Sequence, residues 1–306
     1  MKSFSNTRLI LLHPSLTKHN PTPISPNRLC VLAFISFFAF AFLLTLLSGR
    51  ETPPRPPNPF PSPLTPIPSS GPAPYLFDAL IHYAAQSTAG LMPDRDLRSI
   101  AQLLRHRAPC NLLIFGLGPE SLLWRALNHG GRTVFIDENQ YYIAHYEERN
   151  PGLEGYDVAY TTKVSELKEL LAEVRVLIRS ECRPVQNLLF SDCRLGINDL
   201  PNHIYDVAWD VIVVDGPRGY SPESPGRMSS IYTAAVLARS RAEGETDVLV
   251  HDYEREVERV CSGEFLCREN LVGADGQLAH FLIRGGEAAR KDDFCFNRTA
   301  TAALAL

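Results

Sequence analysis

Residues 111–138 read NLLIFGLGPESLLWRALNHGGRTVFIDE, and this stretch decides the fold. An apolar run at 112–115, short enough to be a buried strand, leads into the turn Gly116-Leu117-Gly118. A segment with helical periodicity covers residues 119–128, and a second apolar run ends on Asp137-Glu138. Strand, glycine turn, helix, strand and carboxylate in this order predict the first half of a nucleotide-binding βαβ unit.

The glycine turn indicates which ligand this unit accepts. Gly116 and Gly118 let the backbone approach a ligand, because neither carries a Cβ atom. A carboxylate at the end of the second strand can accept hydrogen bonds from ribose hydroxyls. Ser121 stands where the dinucleotide fingerprint has its third glycine. The turn therefore fits S-adenosylmethionine, which has no phosphates, better than NAD, and it disfavours a Rossmann oxidoreductase. The alternative is a tight turn in an ordinary α/β domain.

The N-terminal region predicts a membrane anchor. Residues 1–28 contain Lys and Arg but no acidic residue, and residues 29–47 form the charge-free run LCVLAFISFFAFAFLLTLL. At about 1.5 Å per residue this run crosses a hydrocarbon core of ~30 Å. The positive-inside rule then places the N-terminus in the cytosol. A signal peptide cleaved at Ala39-Phe40-Ala41 is the alternative.

The remaining organisation predicts a single-pass type II protein of the Golgi membrane. Residues 48–74 are rich in proline and should form a stiff polyproline II stem. Residues 75–285 then form one luminal domain, and residues 286–306 form a tail of low information. A short cytosolic tail, one span, a proline stem and a luminal globule are the layout of many Golgi-resident glycan enzymes. The formal net charge is -4, so no broad basic surface points to nucleic acid.

Two later strands also end on polar residues. The run DVAWDVIVVD, residues 206–215, has the Val/Ile pattern of a strand covered on both faces and ends on Asp215. The strand at 247–250 ends on His251-Asp252. Carboxyl ends of parallel strands are where such sheets bind ligands, so we expect these side chains at one site. The alternative for His251-Asp252 is a pair that caps the following helix.

The loop at 218–227, RGYSPESPGR, is the predicted specificity loop. It is rich in Gly, Pro and Ser, yet carries Arg218 and Arg227. Guanidinium groups pair with carboxylates through two parallel hydrogen bonds, which suits a carboxylated sugar. A solvated loop is the alternative.

The triplet Asp94-Arg95-Asp96 matches the Asp-x-Asp pattern by which many glycosyltransferases hold a metal and a sugar nucleotide. Here it opens a predicted helix at 94–107 and does not end a strand. Pro93 precedes it, so we predict Asp94 as the helix N-cap. This context disfavours a glycosyltransferase.

Cysteine usage fits an oxidising compartment. The chain has seven cysteines, without a CxxC motif or a zinc-like Cys/His spacing, so no metal ligands are predicted. We expect a disulfide between Cys182 and Cys193 and a second between Cys261 and Cys267. Asn297-Arg298-Thr299 is a glycosylation sequon, usable if this part is luminal.

A set of motifs carries a resemblance to a known family. NLLIFGLGPESLLW, TVFIDEN, YDVAYTTK, WDVIVVDGPRGYSPESPGRM and VLVHDYER occur in that order after the anchor and stem. Together they resemble the plant polysaccharide biosynthesis domain family, which includes glucuronoxylan 4-O-methyltransferases and the irregular-xylem proteins of secondary-wall xylan synthesis. The resemblance covers about Tyr75 to Ile283. FIDENQYYIAHYEE looks like the irregular-xylem branch.

The resemblance implies a Rossmann-like α/β methyltransferase sheet with helices on both faces. The implied S-adenosylmethionine site is lined by Gly116, Gly118 and Asp137, with Glu138 as the alternative to Asp137. The implied transfer site contains Asp215, His251 and Asp252. Asp215 or His251 would be the general base, and Asp252 would orient His251 or bind a divalent ion, whose requirement stays open. Arg218 and Arg227 would hold the glucuronate carboxylate.

Two functions of different classes follow from the resemblance. The first is an enzyme that methylates glucuronic acid side chains of an acidic xylan. The second is a non-catalytic scaffold that works with other xylan synthesis proteins to set chain length or assembly. The FGLG turn, Asp215 and His251-Asp252 favour the enzyme. The acidic cluster at 137–139 differs from that of the methyltransferase branch and favours the scaffold.

Overall fold

The computed structural model describes four stretches of the chain: residues 35–43, 74–86, 92–286 and 292–296. The chain falls into two units, Met1–Pro66 and Ile67–Leu306. In the first unit, residues 35–43 form a helix, α1, which is the described part of the predicted anchor. Among the described stretches no helix has both the length and the apolar character needed to cross a membrane. The predicted cytosolic tail, nearly all of the predicted stem and Asn297 lie outside them.

The second unit is built on one mixed sheet. Its described strands are β1 (Asn111–Phe115), β2 (Arg132–Asp137), β3 (Glu154–Asp157), β4 (Val211–Val214), β5 (Glu245–Val250), β6 (Leu271–Asp275) and β7 (Leu278–Arg284). Their order across the sheet is β3-β2-β1-β4-β5-β7-β6. Strands β1 to β5 run parallel, whereas β7 is antiparallel to both of its neighbours. The strand order reverses between β1 and β4, and in sheets of this kind ligands bind in the crevice outside the carboxyl ends of the strands at such a reversal.

Helices cover both faces of this sheet. They are α2 (Pro74–Ala85), α3 (Asp94–Arg107), α4 (Ser121–Leu127), α5 (Gln140–Arg149), α6 (Leu167–Leu177), α7 (Asn202–Tyr205), α8 (Met228–Ser240) and α9 (Glu256–Cys261). Side chains alternate along each strand, so Leu113 and Phe115 pack toward α6, α8 and α9. Leu112 and Ile114 pack toward α2, α3, α4 and α5. Burial on both faces explains why β4 reads as an uninterrupted Val/Ile run.

The start of α3 differs from the prediction. Pro93 occupies the N-cap position and makes no side-chain cap hydrogen bond, so the prediction that Asp94 caps the helix is wrong. Asp94 is the first helical residue, and its carboxylate pairs with Arg98 one turn later at 2.9 Å. Proline suits the boundary because it lacks an N–H group and cannot continue a helix backward.

Two disulfides brace irregular segments. The predicted bridge between Cys182 and Cys193 is present, with a Cα–Cα distance of 5.0 Å. The predicted pairing of Cys261 with Cys267 is wrong, because Cys267 pairs with Cys295 instead. Cys261 is a free cysteine buried in α9, and burial raises the pKa of its thiol. The observed pairing ties the segment at 292–296 to the domain, which spacing along the chain could not reveal.

Two glycines set how closely the ends of β1 and β4 approach. Gly116 has a φ of 110°, a left-handed conformation that favours glycine. Gly216 lies against it, since a Cβ atom added to Gly216 would stand 2.7 Å from the Gly116 Cα. Neither turn can carry a side chain here without separating the two strand ends, so this contact fixes the geometry of the crevice.

We predict that Gly216→Ala lowers the free energy of unfolding by about 1–3 kcal/mol, the usual cost of overpacking. Urea denaturation followed by circular dichroism measures it. Gly273→Ala on the exposed strand β6 is the matched control, because a Cβ atom added there meets nothing within 4 Å. Equal losses in the two variants would show that the contact at Gly216 is not tight.

Candidate functional site

The predicted site residues meet at one edge of the sheet. The turn Gly116-Leu117-Gly118 follows β1, and Asp137-Glu138 closes β2. Asp215 follows β4, and His251-Asp252 follows β5. These four strands are adjacent and parallel, so their carboxyl ends lie together at the point where the strand order reverses. The structure thus brings the predicted cofactor residues and the predicted transfer residues to one crevice.

A serine closes the glycine turn. The Gly118 amide donates to the Ser121 hydroxyl at 2.9 Å, and the Ser121 amide donates back to the Gly118 carbonyl at 3.1 Å. The Tyr146 hydroxyl also donates to that carbonyl, at 3.3 Å. These hydrogen bonds of Ser121 keep the turn compact at the start of α4. In the dinucleotide fingerprint a third glycine at this position keeps the turn compact by close packing.

The two acidic residues after β2 have different environments. Asp137 is buried, and its two oxygens accept from the Leu117 and Asn139 amides at 2.9 Å each. It therefore holds the glycine turn and the start of α5. Glu138 is exposed. The pKa of its carboxyl is raised, first because neighbouring protein atoms partly remove water from the ionised form and second because the Asp137 charge repels it. The geometry favours Glu138, and not Asp137, as the acid that meets a ribose.

Arg227 is a buried linker between strand ends. Its side chain is 3% exposed, and its N–H groups donate to the carbonyls of Pro217, His251 and Asp215 at 3.2, 2.7 and 2.9 Å. It also pairs with the Asp252 carboxylate at 2.9 Å. These contacts occupy the guanidinium, so the geometry does not support Arg227 as a ligand for a sugar carboxylate.

Arg218 keeps its charge available. It is exposed, and its side chain forms no ion pair within the stretches that the structure describes. Its positive charge acts to lower the pKa of Glu138, so it belongs to the same edge of the sheet. Of the two predicted substrate arginines, Arg218 fits the assignment.

Asp252 is committed to arginines. It has a φ of 56°, and its carboxylate pairs with both Arg227 and Arg255. Its nearest approach to the His251 Nδ1 is 3.9 Å, too long for a hydrogen bond, so Asp252 does not orient His251 as predicted. Donor atoms of Asp215, His251 and Asp252 lie within 4.8 Å of one another, a set that could hold a divalent ion. The two guanidinium groups already neutralise the Asp252 carboxylate.

His251 lies between two carboxylates. Its side chain is 9% exposed; Nδ1 is 2.9 Å from Asp215 Oδ1, and Nε2 is 3.5 Å from Asp96 Oδ2. Asp215 is more open, with 32% of its side chain exposed. A general base must reach the proton that it removes, so the geometry favours Asp215 over His251 for that role.

The sequence reasoning missed Asp96. The spacing of Asp96, Ile100 and Leu104 follows one face of α3, and all three are 0% exposed. A carboxylate on an otherwise apolar helix face is the signal that could have singled it out, because such a group needs a buried partner.

The chain matches known proteins over most of this domain. The family model IRX15/IRX15L/GXM matches residues 95–281. Protein IRREGULAR XYLEM 15 of Arabidopsis thaliana is 53% identical, over 91% of this chain and 91% of that one. Glucuronoxylan 4-O-methyltransferase 3 of Arabidopsis thaliana is 44% identical, over 72% and 73%. A solved methyltransferase-like protein from Silicibacter pomeroyi shares 13% identity with a TM-score of 0.34, covering 68% of this chain and 92% of that one.

We predict that Glu138→Gln weakens binding of S-adenosylmethionine, measured by calorimetry, and raises the free energy of unfolding at neutral pH. The pKa of Glu138 is higher in the folded state than its ordinary value, so the ionised carboxylate destabilises the fold. The gain should vanish below pH about 4, where the carboxyl is protonated in both states.

Asp137→Asn is the matched comparison. An amide nitrogen facing the Leu117 or Asn139 amide leaves a buried donor unpaired, so we expect a loss of about 2 kcal/mol of unfolding free energy at neutral pH. If Asp137→Asn were stable and Glu138→Gln bound the cofactor normally, the division of roles between these two carboxylates would be wrong.

Proposed function

The chain belongs to the IRX15/IRX15L/GXM family, and on that premise we propose that it methylates a sugar hydroxyl of an acidic xylan, using S-adenosylmethionine. The relatives named as glucuronoxylan 4-O-methyltransferases support the acceptor class. The observation that carries the proposal is the grouping of these residues at the carboxyl ends of adjacent parallel strands. The glycine turn and the exposed Glu138 carboxylate lie on one side of the strand-order reversal, and the partly exposed Asp215, held by His251, lies on the other.

The residues present fit the cofactor. Gly116 and Gly216 pack against each other and bring the ends of β1 and β4 close together, and Glu138 offers an exposed carboxylate to ribose hydroxyls. No group of the turn is arranged for a pyrophosphate, since the Ser121 hydroxyl takes up the Gly118 amide. When bound, S-adenosylmethionine supplies an electrophilic methyl group.

Asp215 is the residue that acts on the acceptor. Its Oδ1 is held by His251 at 2.9 Å and by Arg227 at 3.2 Å, which leaves Oδ2 for a substrate hydroxyl. That oxygen would take the hydroxyl proton as the acceptor oxygen becomes methylated, and bound S-adenosylmethionine would supply the methyl group. A base so placed accelerates the transfer by about 10²–10⁴-fold, and orientation of the two reactants adds to it.

Arg218 gives the site its preference for an acidic acceptor. Its guanidinium is exposed and forms no ion pair with any described residue, and Arg218 follows Asp215 closely in the chain, at the start of the loop after β4. A glucuronate carboxylate is planar and accepts two parallel hydrogen bonds from such a group. The uronic acid would then be both the residue recognised and the residue methylated.

The proposed location is the Golgi membrane, with the domain in the lumen. The charge-free run at 29–47, the proline-rich stem and the sequon at Asn297 support it. The two disulfides also fit an oxidising compartment. In that setting the partners are the membrane, the acidic xylan and other proteins of xylan synthesis.

The test is methyl transfer by the purified protein to xylo-oligosaccharides that carry glucuronic acid, read by mass spectrometry as the gain of one methyl group. We expect Asp215→Asn to bind S-adenosylmethionine normally but to lose about 10²–10⁴-fold in kcat. Asp157→Asn is the control, because Asp157 is an exposed aspartate at the carboxyl end of β3, at the edge of the sheet.

Each result has a definite meaning. Unchanged kcat in Asp215→Asn would remove Asp215 as the base. A folded wild-type protein that binds S-adenosylmethionine but methylates none of these acceptors would contradict the proposed acceptor. A protein that does not bind the cofactor would instead be an accessory component of xylan synthesis.

A further inference from the structure

Asp96 is a buried carboxylate that takes no part in the proposed reaction as described so far. It is 0% exposed on the apolar face of α3. Its Oδ2 accepts from the Gln277 amide at 3.2 Å, and its Oδ1 has no hydrogen-bond partner. No Lys or Arg pairs with Asp96 in the part of the chain that the structure describes. Burying an ionised carboxylate costs free energy unless a group of opposite charge or a hydrogen-bond donor lies next to it.

The group that faces it is the imidazole of His251. Nε2 is 3.5 Å from Asp96 Oδ2, which is within ion-pair distance, and it makes no hydrogen bond among the described residues, while Nδ1 is 2.9 Å from Asp215 Oδ1. A carboxylate thus stands in front of each ring nitrogen. A ring that turned over by 180° would place carbon atoms against both, so the two carboxylates together select one orientation.

The β6–β7 hairpin encloses this pair. Its turn lies directly over Asp96, where Gly276 has a φ of 61° and has no room for a Cβ atom. The Gln277 amide donates to Asp96, and the Gln277 carbonyl accepts from the Tyr253 amide at 2.9 Å. One turn therefore holds the buried carboxylate and the segment that follows His251, and it keeps water from the contact between them.

We propose that Asp96 is a positioning residue of the transfer site. It holds His251 with Nδ1 toward Asp215, and His251 in turn holds Asp215 Oδ1, so that Oδ2 meets the acceptor hydroxyl. This chain of three side chains runs from α3 through the end of β5 to the end of β4. The role in methyl transfer rests on the proposed function; the contact between Asp96 and His251 does not.

The test compares Asp96→Asn with Asp94→Asn in the full chain. Asp96 Oδ2 both accepts from the Gln277 amide and faces Nε2, so asparagine keeps the shape and an oxygen at this place and removes only the negative charge. We expect kcat to fall by about 10–100-fold with an unchanged KM for S-adenosylmethionine, since misplacement of a base slows the chemical step. Asp94 lies on the same helical turn, exposed and paired with Arg98, so Asp94→Asn should keep the wild-type kcat.

A second readout does not need activity. In protein labelled with ¹⁵N-histidine, the two ring-nitrogen signals of His251 should move in Asp96→Asn and stay in place in Asp94→Asn. This comparison still decides whether Asp96 fixes the ring if the wild-type protein transfers no methyl group, an outcome that would contradict only the proposed function.

Three results would overturn the proposal: unmoved His251 signals in Asp96→Asn, a wild-type kcat in that variant, or a loss confined to KM. If Asp96→Asn does not fold, the wild-type spectrum decides. A Nε2 signal of a hydrogen-bonded nitrogen supports the contact, and the signal of a free nitrogen overturns it.

Discussion

The geometry of the site depends on the buried guanidinium of Arg227. Parallel strands end with carbonyl groups that have no partner in the sheet, and the ends of β4 and β5 present two such groups side by side. Arg227 reaches them from the start of α8, donating to Asp215 and His251 carbonyls at 2.9 and 2.7 Å. Its positive charge forms ion pairs with the carboxylates of Asp215 and Asp252. A buried charge with so many partners is rigid, because releasing any one of them leaves an unpaired group.

The carboxylates at this edge divide into structural and available groups. The carboxylates of Asp137 and Asp252 make contacts within the fold. Asp137 accepts hydrogen bonds from backbone amides, and Asp252 pairs with two arginines. Glu138 and Asp215 keep exposed surface. All four are acids at the carboxyl ends of strands, so residue type alone does not separate them. What separates them is which donors the surrounding backbone and arginines bring near each one.

This division gives the proposed reaction an order in space. Glu138 and the glycine turn lie on the β2 side of the strand-order reversal, where the proposed cofactor would bind. Asp215 lies on the β4 side, where His251 contacts its Oδ1, and Asp96 lies on the far side of the His251 ring. Arg218 stands on the loop beyond Asp215, so an acidic acceptor would enter from that side. In the proposed reaction the groups that would contact ligands are exposed, and Asp215 among them is fixed by the buried side chains of His251 and Arg227.

The sequence by itself determined the parts that depend on local order. Glycines at 116 and 118, polar residues at strand ends and a Val/Ile run predicted a doubly covered parallel sheet and the edge where its site lies. Cys182 and Cys193 are close along the chain, so their bridge followed from spacing.

Only the tertiary structure decided which distant residues meet. Asp96 and His251, and likewise Cys267 and Cys295, are joined by the packing of separate elements. Arg227 looked like a ligand for substrate because its loop is polar, yet folding turned it inward to satisfy strand carbonyls. Burial and partner identity are properties of the whole packing arrangement, and no local pattern of residues encodes them.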